Sequence, residues 1–349
     1  MSKTKIPGVD NAKSSLDGST NYGSQFLPTE VSRDIIRRVW EESWVRKTVT
    51  NIVMKTQTLK IPKISTGITM QGTTDNADDP EADESRHVTT EIELEMRSII
   101  GNAPIQKKLI AYAVESMMPA LMDDIRMSVA DTEEDVFVNG DTTSGASNIN
   151  GLYDVTNFPN GVITRDPRLE LDGLRKMAID AANTVNASGA SLTSSHIRSA
   201  FAQLGKYGKK KEEVTIVVSN SVETIMYGWD ELKTLDKYGP KATVFTGEIG
   251  KLYGATVIST SLLSDTLGAT GLERNQSTGS SADDKTVVLV FNNRSPIIGN
   301  PIKADRKFKI EIDNEPKKDR IVLIPKEDFA FSNRYDEAIA QIINVLPGT

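Results

Sequence analysis

The sequence contains no cysteine and only two histidines, His87 and His196. The lack of cysteine excludes disulfides, thiolate metal ligands and a cysteine nucleophile. A histidine-based metal site needs more ligands than these two residues supply, and neither stands in a metal-ligand spacing. The nucleophile elbow G-x-S-x-G is also missing, so no motif supports a Ser–His–Asp triad.

Long apolar segments are missing as well. No run of about 18 apolar residues is present, so no membrane-spanning helix is predicted. The first residues, MSKTKIPGVDNAKSS, lack the apolar stretch of a signal peptide. The net charge of −7 argues against a protein that wraps nucleic acid. With 349 residues, 38% of them hydrophobic, the chain is long enough for about two packed domains.

The most regular pattern covers residues 119–140, PALMDDIRMSVADTEEDVFVNG. Its apolar side chains recur at helical spacing, at Leu121, Met122, Ile125, Val129, Val136 and Phe137. Pro119 suits the first position of a helix, and Gly140 is a stop signal. We therefore expect one helix of roughly 30 Å.

Acidic residues crowd the C-terminal half of this helix, where carboxylates oppose the helix dipole. They are Asp131, Glu133, Glu134 and Asp135. One interpretation is a solvated acidic face. The other is a face that meets basic residues of a neighbouring subunit.

Residues 1–28 are rich in Ser, Gly, Asn and Lys, and they hold too little apolar surface to fold alone. Phe26 and Leu27 are the exceptions. The segment is either a disordered tail or an arm that becomes ordered against another subunit. A helix is predicted to follow over residues 31–44.

Residues 58–64 and 91–97 alternate between apolar and polar side chains, which predicts two long strands paired as a hairpin. The segment between them, 67–88, forms a wide tip with six carboxylates, Asp75, Asp78, Asp79, Glu81, Asp83 and Glu84. A two-stranded hairpin is marginally stable alone in water. It therefore needs a partner surface, either in the same chain or in a neighbouring copy.

The remainder reads as a mixed α/β body. Helices are predicted over 171–185 and 194–204, and short strands over 214–218, 255–260, 287–291, 308–312 and 320–324. Residues 338–345 suit a last strand or a short helix. Residues 268–285, rich in Gly, Ser and Thr, predict a mobile surface loop.

The sequence shows little catalytic or ligand-binding chemistry. His196 is interpreted as a partly exposed residue at a helix start. The glycines of residues 247–254 match neither G-x-G-x-x-G nor a P-loop, and they indicate a turn into the strand at Ala255. The acidic tip lacks EF-hand spacing, and the lysines at 206–211 suit a solvated helix end. We predict no catalytic residue, no cofactor and no metal site.

The order of these segments resembles the major capsid proteins of tailed bacteriophages, which have the Hong Kong 97-type fold. Residues 136–141, VFVNGD, resemble the end of the family's spine helix, and residues 319–331, DRIVLIPKEDFAF, resemble its closing strand. Residues 250–257, GKLYGATV, are similar to the family's G-x-L-x-G-x-P-V turn and strand. They depart from it at Ala255 and Thr256, where the family has a polar residue and proline.

The resemblance implies an α+β fold with an N-terminal arm, an extended E-loop hairpin, a peripheral (P) domain on the spine helix and an α/β axial (A) domain. The implied boundaries are 1–50 for the arm and first helix, 51–108 for the E-loop, 109–170 for the P-domain with the spine helix, 171–299 for the A-domain and 300–349 for C-terminal P-domain strands. The spine helix follows soon after Met1, so no long N-terminal scaffolding segment is expected.

The resemblance also implies a function. The chain is expected to be a structural major capsid protein, not an enzyme, that assembles as hexamers and pentamers into an icosahedral shell around the double-stranded DNA of a tailed phage. Implied partners are other copies, the portal, and scaffolding, decoration or head-completion proteins, with no sequence-specific DNA binding and no membrane. The implied location is the virion capsid, assembled in the host cytoplasm. The alternatives are a cargo-enclosing nanocompartment of the same fold and an α/β hydrolytic enzyme.

An unpaired hairpin and an arm with few apolar residues are unfavourable in a monomer, because nothing covers their exposed backbone and side chains. In an assembly, neighbouring copies can cover these edges. The acidic tip is expected to meet basic side chains of a neighbour. The remaining candidate inter-subunit contacts are Phe26, Leu27, Arg33, Arg37, Arg38, Lys206, Lys209, Lys210 and Lys211.

Overall fold

The computed structural model describes residues 43–68, 70, 87–112, 117–143, 148–150, 166–229, 250–273 and 284–348. Several predicted features lie outside these residues. They are the arm with Phe26 and Leu27, most of the helix predicted over 31–44 with Arg33, Arg37 and Arg38, and the acidic hairpin tip with Asp75, Asp78, Asp79, Glu81, Asp83 and Glu84.

The helices are α1 Val45–Thr48, α2 Lys107–Tyr112, α3 Met117–Asn139, α4 Leu174–Asp180, α5 Ser194–Gln203, α6 Asn220–Met226 and α7 Ala304–Lys307. The strands are β1 Thr50–Met54, β2 Thr58–Thr66, β3 Val88–Glu95, β4 Arg97–Ile100, β5 Ala103–Gln106, β6 Thr184–Asn186, β7 Val214–Ser219, β8 Lys251–Leu252, β9 Ala255–Thr260, β10 Thr286–Asn292, β11 Pro296–Pro301, β12 Lys309–Glu315, β13 Arg320–Asn333 and β14 Ile339–Val345.

The long helix predicted at 119–140 is confirmed as α3. Its C-terminal end is its buried part, because Val136, Phe137 and Val138 lie in a core shared with α4, β10 and β13. The Phe137 ring packs 5.1 Å from that of Phe329. The N-terminal half of the helix is only partly covered, and Met127 is 51% exposed.

The interpretation of the acidic residues of α3 as a solvated face is wrong for two of them. Glu133 and Glu134 are buried, and they bind residues of α1 in the same chain. The sequence could not reveal this burial, because the acidic residues of a helix do not indicate which cation or N–H group elsewhere in the chain will bind them.

One six-stranded sheet has the order β1-β11-β13-β12, with β4 and β5 also paired to β13. Only the β1–β11 pair is parallel among its pairings. The long strand β13 holds this sheet together, since every strand except β1 pairs with it directly. The strand predicted over 320–324 is therefore only the beginning of β13.

A second six-stranded sheet has the order β6-β14-β10-β7-β9-β8. All residues of β7 and β10 are buried, as their continuous apolar sequences predict. The strands predicted over 214–218, 255–260 and 287–291 are confirmed, and residues 338–345 contribute strand β14 rather than a helix. The C-terminal segment thus ends in this sheet, beside residues 184–186.

Three details differ from the sequence prediction or extend it. The helix predicted over 171–185 stops at Asp180, because Ala182 adopts a left-handed φ of 56° and the chain then enters β6. Strand β11 was not predicted, since its apolar run is short and lies between prolines. The turn predicted before Ala255 is confirmed, with left-handed Tyr253 and Gly254 between β8 and β9.

Candidate inter-subunit surfaces

The predicted hairpin is confirmed as the antiparallel pair of β2 and β3. Register places Leu59 opposite Leu94 and Ile61 opposite Ile92, so their side chains share one face. This face packs near Met54 and Ala330 at the base of the hairpin, where Leu94 is completely buried. The hairpin is therefore anchored to the body at its base.

The opposite face of the hairpin is charged, since Glu91, Glu93 and Glu95 alternate along β3. Lys60 lies 2.5 Å from Glu91 and 3.9 Å from Glu93, and all three side chains are more than half exposed. Pairs this exposed contribute little to stability.

The distal end of the hairpin exposes apolar side chains to solvent. The exposed fractions are 65% for Ile64, 57% for Ile68, 88% for Met70 and 51% for Val88. Clustered exposed apolar residues mark an interaction surface in many proteins. The hairpin thus has a closed base and an uncovered end.

A basic cleft of about 310 Å³ lies where the second sheet meets the end of β13. The structure brings three predicted lysines, Lys206, Lys209 and Lys210, to this cleft. It does not bring Lys211, whose Nζ instead lies 3.5 Å from the centre of the Phe201 ring, where burial lowers the pKa of the lysine.

The floor of the basic cleft is aromatic. Tyr207 and Tyr335 stack with their ring centres 4.9 Å apart, and Lys206 Nζ lies 4.9 Å from the Tyr207 ring. Lys63 of β2 lies 5.2 Å from the Tyr335 ring, so the hairpin passes the edge of the cleft.

Arg294 completes the cleft and was missed by the sequence analysis. Its guanidinium pairs with Glu213 at 2.8 Å, and Lys210 lies 3.5 Å from the same carboxylate. Four cations therefore line the cleft together with Glu213, and Lys206 also lies in the field of Glu337. No local signal identifies Arg294, because it lies in a turn after β10, far along the chain from the lysines.

The end of the spine helix α3 is held by a buried polar junction. The Asn139 side chain donates to the carbonyl of Leu262 and accepts from Arg175 at 2.8 Å. Arg175 also donates to the carbonyl of Gly271, and full burial lowers its pKa to about 10. The beginning of the segment predicted as a mobile loop, 268–285, is thus packed against α4, and residues 274–283 lie outside the described part.

Asp141 closes the same junction with its two carboxylate oxygens, which accept from the backbone N–H groups of Thr143 and Ile149 at 2.9 and 2.7 Å. Asn139, Gly140 and Asp141 therefore fix how the chain leaves the spine helix. This is a structural role for the sequence NGD, and the reason that polar residues follow a buried apolar run there.

The described residues contain no group of three His, Asp or Glu side chains that could hold a metal ion. His196 lies half-buried in the first turn of α5, where its Nδ1 accepts from the Thr193 backbone N–H, as expected of a residue at a helix start. None of the described helices is both long enough and apolar enough to cross a membrane.

Comparisons with known proteins fit this fold. Several solved structures, from phages and from capsids, align with at least 91% of this chain at 11–17% identity. One, from Microbacterium phage Oxtober96, has a TM-score of 0.56, 17% identity and coverage of 95% of this chain and 99% of the other. The capsid of the native GTA particle gives a TM-score of 0.60 at 13% identity, with 96% and 100% covered. The mature capsid of bacteriophage PhiM1 gives 0.59 at 11% identity, with 97% and 98% covered.

A search of curated proteins found no match to this sequence. The profile of the phage capsid family, in contrast, matches residues 23–222, which is more than half of the chain. The match includes the hairpin, the spine helix and the first strands of the second sheet. The resemblance and the α+β fold predicted from the sequence are thus confirmed, and the chain belongs to the phage capsid family.

Proposed function

We propose that this chain is the major capsid protein of a tailed phage, and that it assembles as hexamers and pentamers into an icosahedral shell around double-stranded DNA. The observation that carries the proposal is the alignment of nearly the whole chain with capsid subunits, combined with a hairpin that is anchored at its base and uncovered at its end. The family match names phage capsids and gives no support to the hydrolytic enzyme, whereas a nanocompartment would share this fold and is distinguished by its contents.

Electron microscopy of the purified protein tests this function. Hollow shells or tubes with hexameric and pentameric units are expected. Discrete particles of the mass of one chain, at all protein concentrations and with added scaffolding protein, would contradict it. The shell's contents separate the proposed role from a nanocompartment, since a phage shell assembled during infection holds double-stranded DNA and a nanocompartment holds protein cargo.

Within the subunit we assign the E-loop to residues 51–108, the P-domain to α3 with β11, β12 and β13 of the first sheet, and the A-domain to the second sheet. Strands β1, β4 and β5 are the parts of the E-loop segment that pair with the P-domain strands. Strand β14 pairs with β10 and β6, which supports placing residues 339–345 in the A-domain rather than with the other C-terminal strands. The role is structural rather than catalytic. Portal, scaffolding, decoration or head-completion proteins are further partners, and assembly takes place in the host cytoplasm.

The acidic tip of the E-loop is proposed to dock on a neighbouring copy. Six carboxylates within residues 75–84 need a basic partner, and the candidates are the cleft around Lys206 or the arginines Arg33, Arg37 and Arg38. The basic cleft supports the first choice, because four cations and one carboxylate, Glu213, are among its described lining residues. Phe26 and Leu27 of the arm are proposed to bind another subunit.

Charge neutralisation tests the docking of the tip. Replacing Asp78, Asp79 and Glu81 with Asn or Gln is expected to weaken shells at low ionic strength and to have little effect at high salt, because salt screens such pairs. The control is Asp313→Asn, which removes an exposed carboxylate on β12. Equal shell stability of the tip variant at both ionic strengths would show that the tip has no basic partner.

A double charge reversal identifies which basic residues of the neighbouring copy bind the acidic tip. Lys209→Glu together with Lys210→Glu is expected to impair assembly, and reversal of Asp78 and Asp79 to Lys in the same chain is expected to restore part of it. If the tip changes instead restore assembly to a chain with Arg37→Glu and Arg38→Glu, the tip binds to the segment around these two arginines.

Deletion of residues 1–28 tests the arm. Soluble protein that assembles closed shells poorly is expected. Shells of normal stability from the truncated chain would show that the segment is only a tail.

A further inference from the structure

The root of the N-terminal segment is bound to the spine helix through a pair of adjacent glutamates. The backbone N–H groups of Trp44 and Val45 donate to Glu134 Oε1 at 2.7 and 3.2 Å. Glu134 therefore supplies the acceptor for free N–H groups at the start of α1. Trp44 is 7% exposed and Val45 is fully buried, so the described chain begins with a firmly packed contact.

Arg46, the residue that follows Val45, connects α1 to three other elements. Its Nε donates to Glu133 Oε2 at 2.8 Å, and its Nη2 contacts the other oxygen of the same carboxylate on α3. The Nη1 atom donates to the Asn300 side chain on β11. The Nη2 atom also lies 3.4 Å from Glu327 Oε1 on β13.

The charges in this site do not balance if both carboxylates are ionised. Glu133 and Glu327 are 5% and 8% exposed, and one guanidinium faces both. The other charged group near Glu327 is Asp328 on the same strand, which adds negative charge but pairs with Arg306 of α7 at 3.3 Å. A buried uncompensated charge is costly.

The distribution of hydrogen bonds indicates which carboxylate holds a proton. Glu133 takes a two-pronged contact with Arg46, whereas Glu327 has only the longer one. Burial, followed by the negative charge of Glu133, raises the pKa of Glu327 to about 8. Burial raises the pKa of Glu133 as well, but the hydrogen bonds and the charge of Arg46 oppose this rise, so we place the proton of the pair on Glu327.

We propose that Glu327, Arg46 and Glu133 form a proton-controlled lock that holds the root of the N-terminal segment against the spine helix and β13. While Glu327 carries a proton, the site is neutral and α1 stays in place. When the proton leaves, two buried carboxylates face one guanidinium, water enters and α1 loosens. The lock is a property of the single subunit and does not depend on the function proposed above.

The direction of the pH effect follows from linkage. The pKa of Glu327 is higher in the folded chain than its ordinary value of 4.5. Its contribution to stability is therefore complete below about pH 4.5 and falls as the pH rises to about 8. The lock is closed on the acid side and opens on the alkaline side.

Trp44 provides a direct optical readout. The two other tryptophans, Trp40 and Trp229, are changed to Phe in the full chain, so that emission reports Trp44 alone. Between about pH 6 and about pH 10, the emission maximum is expected to shift to the red with a midpoint near pH 8, while far-UV circular dichroism stays constant. The absence of such a shift would overturn the proposal.

Matched variants assign the shift to this site. Glu327→Gln keeps the shape of the side chain and cannot ionise, so the shift is expected to vanish and the emission to stay blue at all pH values. Asp313→Asn removes an exposed carboxylate on the neighbouring strand β12 and is expected to leave the shift unchanged. A shift that persists in Glu327→Gln with the same midpoint would contradict the lock.

Glu133→Gln gives an independent check. With Glu133 neutral, Arg46 can pair with an ionised Glu327, so the midpoint is expected to move well below pH 8. A purely structural role of Glu133 would lower stability without moving the midpoint, and an unchanged midpoint in this variant would overturn the proposal.

Discussion

The second sheet and the β2–β3 hairpin divide the molecule into a part that encloses its own core and a part that does not. Every residue of β7 and β10 is buried, whereas Leu94 is the one buried residue of β2 and β3. The sheet is covered by helices and by neighbouring strands of the same chain. The described residues cover the hairpin at its base and leave apolar side chains at its end in contact with water, where a neighbouring copy would cover them.

This difference separates folding from assembly. Substitutions in the second sheet should change the stability of the free chain, and substitutions in the hairpin should change contacts between copies. The first three of the following predictions compare a change in the body with a change in the hairpin, and the last concerns the hairpin alone; they run from the largest expected effect to the smallest.

Phe291→Ala in β10 is expected to have the largest effect. Phe291 is fully buried and packs near Trp44, with 6.3 Å between ring centres. Removal of a buried Phe typically costs about 3–5 kcal/mol, because transfer free energy is lost and a cavity remains. Urea unfolding of the free chain measures the loss. The hairpin control Ile64→Ala should stay within about 0.5 kcal/mol of the wild type, because the side chain is 65% exposed. Similar losses in both variants would contradict the distinction.

Gly173→Ala is expected to have an intermediate effect. A Cβ atom at Gly173 would lie 2.6 Å from the Gly140 nitrogen and 2.8 Å from the Val136 carbonyl oxygen, where backbone cannot move away easily. Overpacking of this kind typically costs about 1–3 kcal/mol. The control is Gly67→Ala in the hairpin, where nothing lies within 4 Å of the added atom. The midpoints of thermal unfolding of the two variants are compared. Equal midpoints would show that the backbone at the α3–α4 junction can move to make room for the added methyl group.

Ile64→Ser combined with Val88→Ser is expected to leave the free chain almost unchanged, within about 0.5 kcal/mol, because both side chains are more than half exposed. Assembly should decrease, since apolar surface that a neighbour would cover is lost. Sedimentation separates free subunits from shells. Tyr253→Ser, an exposed change at the β8–β9 turn, is the control, and normal assembly of the hairpin variant would argue that its end stays in solvent.

Lys60→Gln should have the smallest effect. The Lys60 ammonium group pairs with Glu91 and Glu93 on the solvent side of the hairpin. These neighbours raise the pKa of the lysine, Glu91 through its hydrogen bond first, but water screens the pair. No measurable change in the unfolding midpoint of the free chain is expected. A clear decrease would mean that the hairpin strands depend on this pair.

Much of the architecture was predictable because local patterns decide it. The alternation at 58–64 and 91–97 set the register of the hairpin, since a shift by one residue would turn Leu94 and Ile92 to the charged face. The apolar runs at 214–218 and 287–291 could only be buried strands. Strand β11 escaped prediction because its burial depends on contact with Met54 and β13, which its own residues do not indicate.

The candidate surfaces were predictable only in part. The lysines at 206–210 stood out as a local cluster, but their combination with Arg294 and the Tyr207–Tyr335 stack requires chain segments far apart in sequence. Lys211 belonged to the same cluster in sequence and points to Phe201 instead. Spacing along the chain therefore found the charge but not the shape of the cleft.

The sequence by itself determined many of the strands and helices, among them the long spine helix and the exposed hairpin, because apolar periodicity and turn residues act over short distances. It also determined the resemblance to phage capsid proteins. Only the tertiary structure decided what covers the acidic end of the spine helix. The sequence suggests that Glu133 and Glu134 are solvated, but in the structure Arg46 binds Glu133, and the backbone N–H groups of Trp44 and Val45 bind Glu134. Burial of a charge depends on partners that are distant in sequence, and those partners are chosen by packing of the whole chain.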